Sequence, residues 1–366
     1  MLILGIETSC DETAASIVED GSKVLSNVVV SQIDIFAEYG GVIPEVAARN
    51  HLEVMMPVIR KALEDAGKTW DDIDDIAVTH TPGLLGSLLI GTLTARTLAI
   101  VHKKPLYAVH HLKSHIYANW LKENSDNSSS SEHKLGRTAS SVSEEEPIIE
   151  FPLLSLVVSG GHTQILKMSA HNHFEIIGTT RDDAVGECFD KVAKILGLPY
   201  PGGPAITKAG QTGDKNKYHF PKPKVDGLDF SFSGLKTAVL RTVQAELGLP
   251  ISHPSYDLKN HLNKQQIADF AASFEKTATD YLLEKLEKAY EENPETKSFV
   301  VAGGVSANEL LREESSKRFS NVFFPERKFS GDNGAMVAAA AYFEIQSGVE
   351  PTDPYTLNIM PRSEIK

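Results

Sequence analysis

The sequence predicts an α/β protein of two similar lobes with a ligand cleft between them, and three observations carry that expectation. A unit of strand, turn, strand, strand and helix, followed by strand, glycine turn and helix, occurs twice along the chain. The turns echo one another: residues 6–13 (IETSCDET) answer 158–164 (VSGGHTQ), and 80–83 (HTPG) answer 302–305 (AGGV). The length of 366 residues suits two lobes. Such lobes each bury their own sheet and leave a groove where they meet, the default place for a ligand.

In the first copy, short β-favouring runs bounded by polar or glycine-containing turns predict strands over 2–7, 14–18 and 23–30. Apolar residues at helical spacing, from Val46 through Met55 and Ile59 to Leu63, predict a helix over 44–66. A strand over 74–80 passes through Pro82 and Gly83 into a helix over 84–102, apolar nearly all round and so expected to be buried. A strand over 105–109 leads to a helix over 112–121. Residues 122–150 then hold four consecutive serines and three consecutive glutamates. With few apolar side chains they cannot offset their ordering entropy, and they read as a flexible insertion.

The second copy predicts strands over 153–159, 163–168 and 174–179 and a helix over 184–196. A Pro/Gly/Lys-rich loop follows, then helices over 233–247 and 264–292. A strand over 298–302, a helix over 307–319, a strand over 321–325 and an Ala-rich helix over 333–346 complete it. The expected division is a first lobe over 1–121 completed by the C-terminal segment 333–366, the insertion 122–150, and a second lobe over 151–332.

The hydrophobic and charged fractions, 41% and 23%, with a mean hydropathy of -0.18, are those of a soluble globular protein. No apolar run reads as approaching the roughly 18 residues of a membrane span. The opening residues lack the basic region of a signal peptide. The expectation is therefore a cytoplasmic protein without a membrane partner. Cys10 and Cys188 are too few for a disulfide scaffold and have no metal-ligand spacing, which fits a reducing compartment. The formal net charge of -13 argues against a stand-alone nucleic-acid binder, because phosphate contacts draw on clustered Lys and Arg. Lys215, Lys217, Tyr218, His219, Lys222 and Lys224 form a local basic, aromatic-bearing loop that could meet RNA, or a merely solvated one.

Three features carry chemistry. His111 and His115 stand four apart on an expected helix, hence on one face, the spacing by which imidazole pairs hold a transition metal. The segment is not HExxH, so the glutamate base of a zinc peptidase is missing. A third ligand must come from afar; Asp332 is the candidate, at the expected N-cap of the last helix, unless capping is all it does. Small-residue turns at 82–83, 159–161, 202–203 and 303–304 fall near strand ends, where backbone N–H groups can approach a phosphate or carboxylate. No Walker-type loop is present. Acidic residues Asp11, Glu12, Asp182, Asp183 and Asp190 follow the same strands, where a carboxylate can bind ribose or take a proton. Asp190 reads equally well as an exposed helix residue.

Together the segments 5–13, 40–52, 79–91, 110–115 (HHLKSH), 156–164 (LVVSGGHTQ), 186–204, 230–238, 301–312 and 330–338 (SGDNGAMVA) resemble the tRNA adenosine threonylcarbamoyltransferase family, in order and across almost the whole chain. The resemblance implies an actin-like (ASKHA, RNase H-like) duplicated two-lobed α/β fold with mixed central sheets and an inter-lobe cleft. It implies a metal site of His111, His115 and Asp332 holding one divalent ion per subunit, iron(II) first and zinc second. It implies substrate-binding positions at Val157, Val158, Ser159, Gly160, Gly161, Asp190, Gly203 and Asn308. Asp11 and Glu12 sit where a catalytic base could act. The implied reaction moves the threonylcarbamoyl group from threonylcarbamoyl-AMP to the exocyclic amine of the adenosine 3′ of the anticodon, in tRNAs reading ANN codons. The implied partners are tRNA, a catalytically silent paralogue subunit and a small P-loop ATPase subunit. A small-molecule or sugar kinase of the same superfamily is the alternative, and it would not need the histidine pair. Two features depart from the family pattern: the length of 122–150, and Val157 where archaeal and eukaryotic relatives carry tyrosine, which leans toward the bacterial or organellar branch.

Overall fold

The computed structural model describes residues 1–123, 148–363 and 365, so most of the expected insertion, 124–147, lies outside the described residues. In the first lobe, β1 (Leu2–Glu7), β2 (Glu12–Glu19) and β3 (Lys23–Ser31) form an antiparallel meander. β4 (Asp75–Thr81) and β5 (Leu106–His110) add in parallel beside β1, and β6 (Lys122–Glu123) closes the far edge, giving the order β5-β4-β1-β2-β3-β6. The second lobe repeats this with β7 (Leu153–Val158), β8 (Thr163–Ala170), β9 (His173–Thr179), β10 (Ser298–Ala302) and β11 (Val322–Phe323), in the order β11-β10-β7-β8-β9. β1 and β7 read as near-continuous apolar runs because helices cover both faces of each sheet.

The helices of the first lobe are α1 (Ile33–Tyr39), α2 (Pro44–Ala66), α3 (Leu85–His102) and α4 (His111–Tyr117). Pro44 opens α2 where its missing N–H costs nothing, and Gly67, at φ 61°, ends it in the left-handed region. The second lobe has α5 (Val185–Leu196), α6 (Gly202–Gly210), α7 (Ser233–Glu246), α8 (Lys264–Glu292) and α9 (Glu309–Arg318), and α10 (Gly334–Gln346) follows.

Five expectations are corrected. α1 was not foreseen. α6 replaces the first part of the expected loop: Pro204 sits in its first turn, Asp190 accepts the Gly202 N–H, and Ile206 is buried. The helix expected over 112–121 starts one residue earlier and tightens into a 3-10 turn over Ala118–Trp120. α3 is buried on one side only; Leu88, Ala95 and Ala99 pack inward while Leu85, Leu89, Leu93 and Val101 are exposed. A helix apolar all round offers more perimeter than one sheet and α2 can cover. By length and composition α3 could span a membrane, against the expectation that no run came close. Its inward face is instead part of the first-lobe core.

α4 and α10 lie between the two sheets. One continuous core joins Ile3, Ala77 and Val109 of the first sheet to Leu112 and Ile116 of α4, Ala335 to Ala341 of α10, and Val157, Leu166 and Val300 of the second. The approach of α10 to β1 demands small residues: a Cβ on Gly5 would lie 2.1 Å from the Gly334 carbonyl oxygen. The start of α10 is thereby held against the first strand.

Candidate metal centre

β5 ends at His110, whose Nδ1 accepts the Leu112 N–H at 3.2 Å and so caps α4. One residue later His111 begins the helix, and His115 follows a turn further on, the two rings 4.6 Å apart and edge to face. Both are buried. From the other direction comes α10, capped by Asn333, whose Oδ1 accepts the Met336 N–H at 3.0 Å. The cap is therefore Asn333 and not Asp332, which corrects the expected N-cap and frees the Asp332 carboxylate. Its Oδ1 lies 3.1 Å from His115 Nε2 and 3.7 Å from His111 Nε2.

Among the described residues neither His115 Nδ1 nor Nε2 has a hydrogen-bond partner, although Nε2 lies close to that oxygen. A buried imidazole with two unused nitrogens is costly unless something else engages it. The three donor atoms lie within 4.8 Å of one another and could hold a divalent ion, two nitrogens and an oxygen suiting iron or zinc.

Behind the ligand pair stands Glu7, fully buried at the end of β1. Its Oε2 is 3.1 Å from His111 Nδ1 and accepts the Thr79 hydroxyl at 2.7 Å, while Oε1 accepts the Ser9 N–H. Ser9 Oγ also reaches His111 Nδ1, at 3.2 Å. With Nδ1 so engaged, Nε2 is left facing Asp332, the usual way a carboxylate orients a metal-binding imidazole. Sequence reasoning passed over Glu7 and Ser9; the one available signal was a carboxylate closing the apolar strand LILGIE.

Charge follows this geometry. Burial works against a charged His111, but Asp332 and Glu7 outweigh it and raise the imidazole to about 9. Burial likewise opposes ionisation of Asp332, but the two histidines win and hold it near 2. His162, also absent from the expected set, is pushed down to about 4 by burial and by the nearby His111 and His115. Burial, then Asp332 and Asp11, push the Glu12 carboxyl well above the usual carboxylate range. Asp11 is buried in the turn between β1 and β2.

Across the cleft, Val157 and Val158 have fully buried side chains, leaving only their backbone to a ligand. In the following turn the Ser159 N–H donates to His162 O at 2.8 Å, and the His162 N–H to Ser159 Oγ at 3.1 Å. Gly160 and Gly161 are exposed, and a Cβ on either would meet nothing within 4 Å. Asp190 is not an exposed helix residue: its Oδ1 accepts the Gly202 N–H at 2.7 Å and sets the start of α6, where Gly203 is open. Asn308 caps α9 through Leu311 N–H at 2.8 Å and donates to Thr207 and Glu275, which occupies its amide. Asp182 is taken up by Ser231, Phe232 and Ser233, and Asp183 pairs with Lys191. Asp11 acts electrostatically on both Asp190 and Tyr200 across the space between them. Beside α4 a cavity of about 570 Å³, the size of a small-ligand site, is lined by Gly83, Leu112, His162, Gln164 and the tail residues Arg362 and Ser363. In the basic loop, Tyr218 is buried and stacked on Phe270 at 3.8 Å, so it is not available to a base, and Lys222 pairs with Glu284. Lys215, Lys217 and Lys224 remain exposed.

The family model for "TsaD: tRNA N6-adenosine threonylcarbamoyltransferase" matches residues 23–129 and 133–339. The tRNA N6-adenosine threonylcarbamoyltransferase of Symbiobacterium thermophilum is 47% identical over 95% of this chain and 93% of its own. That of Caldicellulosiruptor bescii is 44% identical over 99% and 97%. Among solved structures, HypF from T. kodakarensis aligns with a TM-score of 0.58 at 14% identity, over 97% of this chain and 49% of that one. Full-length HypF in its phosphate- and nucleotide-bound form gives 0.54 at 13%, over 96% and 47%. At such identity the likeness is one of fold, and the fold is the actin-like, duplicated two-lobed α/β architecture.

Proposed function

The chain belongs to the tRNA N6-adenosine threonylcarbamoyltransferase family, and we propose that it moves the threonylcarbamoyl group from threonylcarbamoyl-AMP to the exocyclic amine of the adenosine 3′ of the anticodon, in tRNAs reading ANN codons. The observation that carries the reading is the convergence of His111, His115 and Asp332 where the two lobes share a core. These residues fit a divalent ion, iron(II) first and zinc second, because the buried His115 nitrogens find no hydrogen-bond partner among the described residues and Glu7 backs His111. Such an ion, when bound, supplies Lewis-acid polarisation of the donor carbonyl.

The chain's own residues do the rest. The open backbone of Gly160 and Gly161 suits the phosphate of AMP, whose charge grows as it leaves. Asp190 and Gly203, at the start of α6, are the candidates for the ribose. The amine nitrogen bonds to the carbamoyl carbon, the bond from that carbon to the phosphate oxygen breaks, and the amine loses a proton. Asp11 and Glu12, where β1 turns into β2, are the candidates to take it.

The exposed apolar residues Leu52 and Met56 of α2, with Leu85, Leu89 and Leu93 of α3, support a protein partner such as the silent paralogue. The P-loop ATPase subunit completes the set, and tRNA would meet Lys215, Lys217 and Lys224 in the cytoplasm. The test supplies purified protein, both partner subunits, threonylcarbamoyl-AMP and tRNA, and follows AMP release and the modified nucleoside by mass spectrometry. One AMP per modified adenosine is expected. Unmodified tRNA with the wild type, or full modification by metal-depleted Asp332→Ala protein, would overturn the reading.

A further inference from the structure

The segment between α7 and α8 carries a second cluster of metal-ligating side chains, on the second lobe and built from residues that the reaction above does not use. His253 Nε2 and His261 Nε2 both point at the same oxygen, Asp257 Oδ2, at 2.9 and 3.0 Å. The two rings stand edge to face, 5.6 Å apart, and the three ligand atoms lie within 4.8 Å of one another. Two imidazoles spent on one carboxylate oxygen make a poor hydrogen-bond economy but a good half-shell. In a tetrahedral site with bonds of about 2.0–2.1 Å, neighbouring ligand atoms sit about 3.4 Å apart, so a small opening of this triad admits an ion.

The support is built in. The other oxygen of Asp257 accepts the Asn260 side-chain N–H at 2.9 Å, the kind of outer contact that orients a ligating carboxylate. Leu258, in the same turn, is fully buried in the second-lobe core. On the N-terminal side the buried Gln244 amide donates to Ile251 O and His253 O, at 3.1 and 2.9 Å, and Arg241 donates to Ile251 O at 2.9 Å. Thus both ends of the ligand-bearing segment are tied to α7 and to the core before any ion arrives. His261 is exposed, so the remaining coordination positions open to water.

We infer that His253, Asp257 and His261 bind one divalent transition-metal ion, of the zinc, cobalt or nickel class, which clamps the α7–α8 connection. Two imidazole nitrogens and one carboxylate favour these ions over magnesium or calcium.

The probe is Co²⁺ titrated into the full-length, metal-depleted protein at micromolar concentration, followed by its visible absorption, with Zn²⁺ counted by elemental analysis. The wild type is expected to take two equivalents. His261→Ala and the shape-preserving Asp257→Asn should each take one, as should Asp332→Ala, whereas the double variant His261→Ala/Asp332→Ala takes none. His261→Ala should modify tRNA within about twofold of wild type, since the exposed His261 touches none of the residues assigned to the donor or the first ion. Wild-type stoichiometry in both His261→Ala and Asp257→Asn would overturn the second site. If Asp332→Ala alone leaves the count unchanged, the first site fails and this one stands.

Discussion

The turn between β1 and β2 and the turn between β7 and β8 occupy the same place in the two copies of the fold, yet they are built from opposite materials. The first is packed with polar side chains: Glu7, Thr8, Ser9 and Asp11 are all buried, and Thr8 donates to Ser87 O at 2.9 Å. The second is nearly bare, with Gly160 and Gly161 exposed and nothing within 4 Å of where a Cβ on either would sit. Duplication supplied two equivalent scaffold positions at one cleft. Divergence then gave one of them fixed charges aimed at α4 and the other an accessible backbone. Fixed charges suit a cation and its ligands, whereas bare N–H groups suit an anion that comes and goes.

If that division of labour is right, damage to the first side should remove the ion, and damage to the second should spare it. The largest effect is expected for Asp332→Ala. It deletes the only carboxylate ligand and leaves His111 and His115 facing one another, so transfer should fall roughly a thousandfold or more as several kcal/mol of charge stabilisation disappear. Bound metal should fall with it, and the melting temperature should drop as the buried His111 loses its charged partner, while α10 keeps its cap at Asn333. Next comes Gly161→Val. A Cβ at this position has nothing within 4 Å, so folding and metal content should be unchanged, yet the backbone N–H groups of the turn become shielded. A loss of about 10²-fold in transfer is expected, the scale of one lost oxyanion donor. Metal loss in this variant would break the comparison. Smaller again is Glu7→Gln, which keeps the shape of the side chain and one acceptor oxygen, for either the Ser9 N–H or the Thr79 hydroxyl, but removes the charge behind His111. Metal affinity should drop about 10–100-fold, measured by competition with a chelator, and transfer should recover at saturating metal.

How far this was legible in the sequence depended on whether the signal was local. β1, α2, α8 and β10 have the bounds their periodicity predicts, because each is long or apolar enough for its own pattern to decide. α6 was hidden because Gly202, Gly203 and Pro204 are loop residues by composition; the contact that starts the helix, Asp190 to Gly202, crosses to a different element. The face of α3 was misjudged since apolar content says nothing about how much partner surface exists. The histidine pair was visible from its spacing, whereas the choice between Asp332 as cap and Asp332 as free carboxylate turned on which of two adjacent residues bonds Met336. Glu7 was invisible for the same reason in stronger form: its partner lies 104 residues away. Tyr218, read as a surface aromatic, is claimed by Phe270 in α8.

The mildest expected effect is on pH, and it sharpens the comparison most. Without an ion, His111 is raised to about 9, since Asp332 and Glu7 outweigh burial. A coordinating imidazole must be neutral, so binding has to expel that proton, and proton and ion compete. Below about 9 the apparent metal affinity should therefore climb with pH, by at most about tenfold per unit, and level off above it. Asp332, near 2, and His162, near 4, do not change charge in this window and add no slope. Calorimetry in buffers of different ionisation heat should find close to one proton released per ion at neutral pH. In Glu7→Gln, one of the two charges that raise His111 is gone, so the levelling should begin at lower pH. In Gly161→Val the profile should keep its wild-type shape, because no charge faces His111 from that turn. An affinity flat from neutrality to 9 in the wild type would mean that the carboxylates of the first turn do not govern His111, and the contrast between the two turns would lose its electrostatic half.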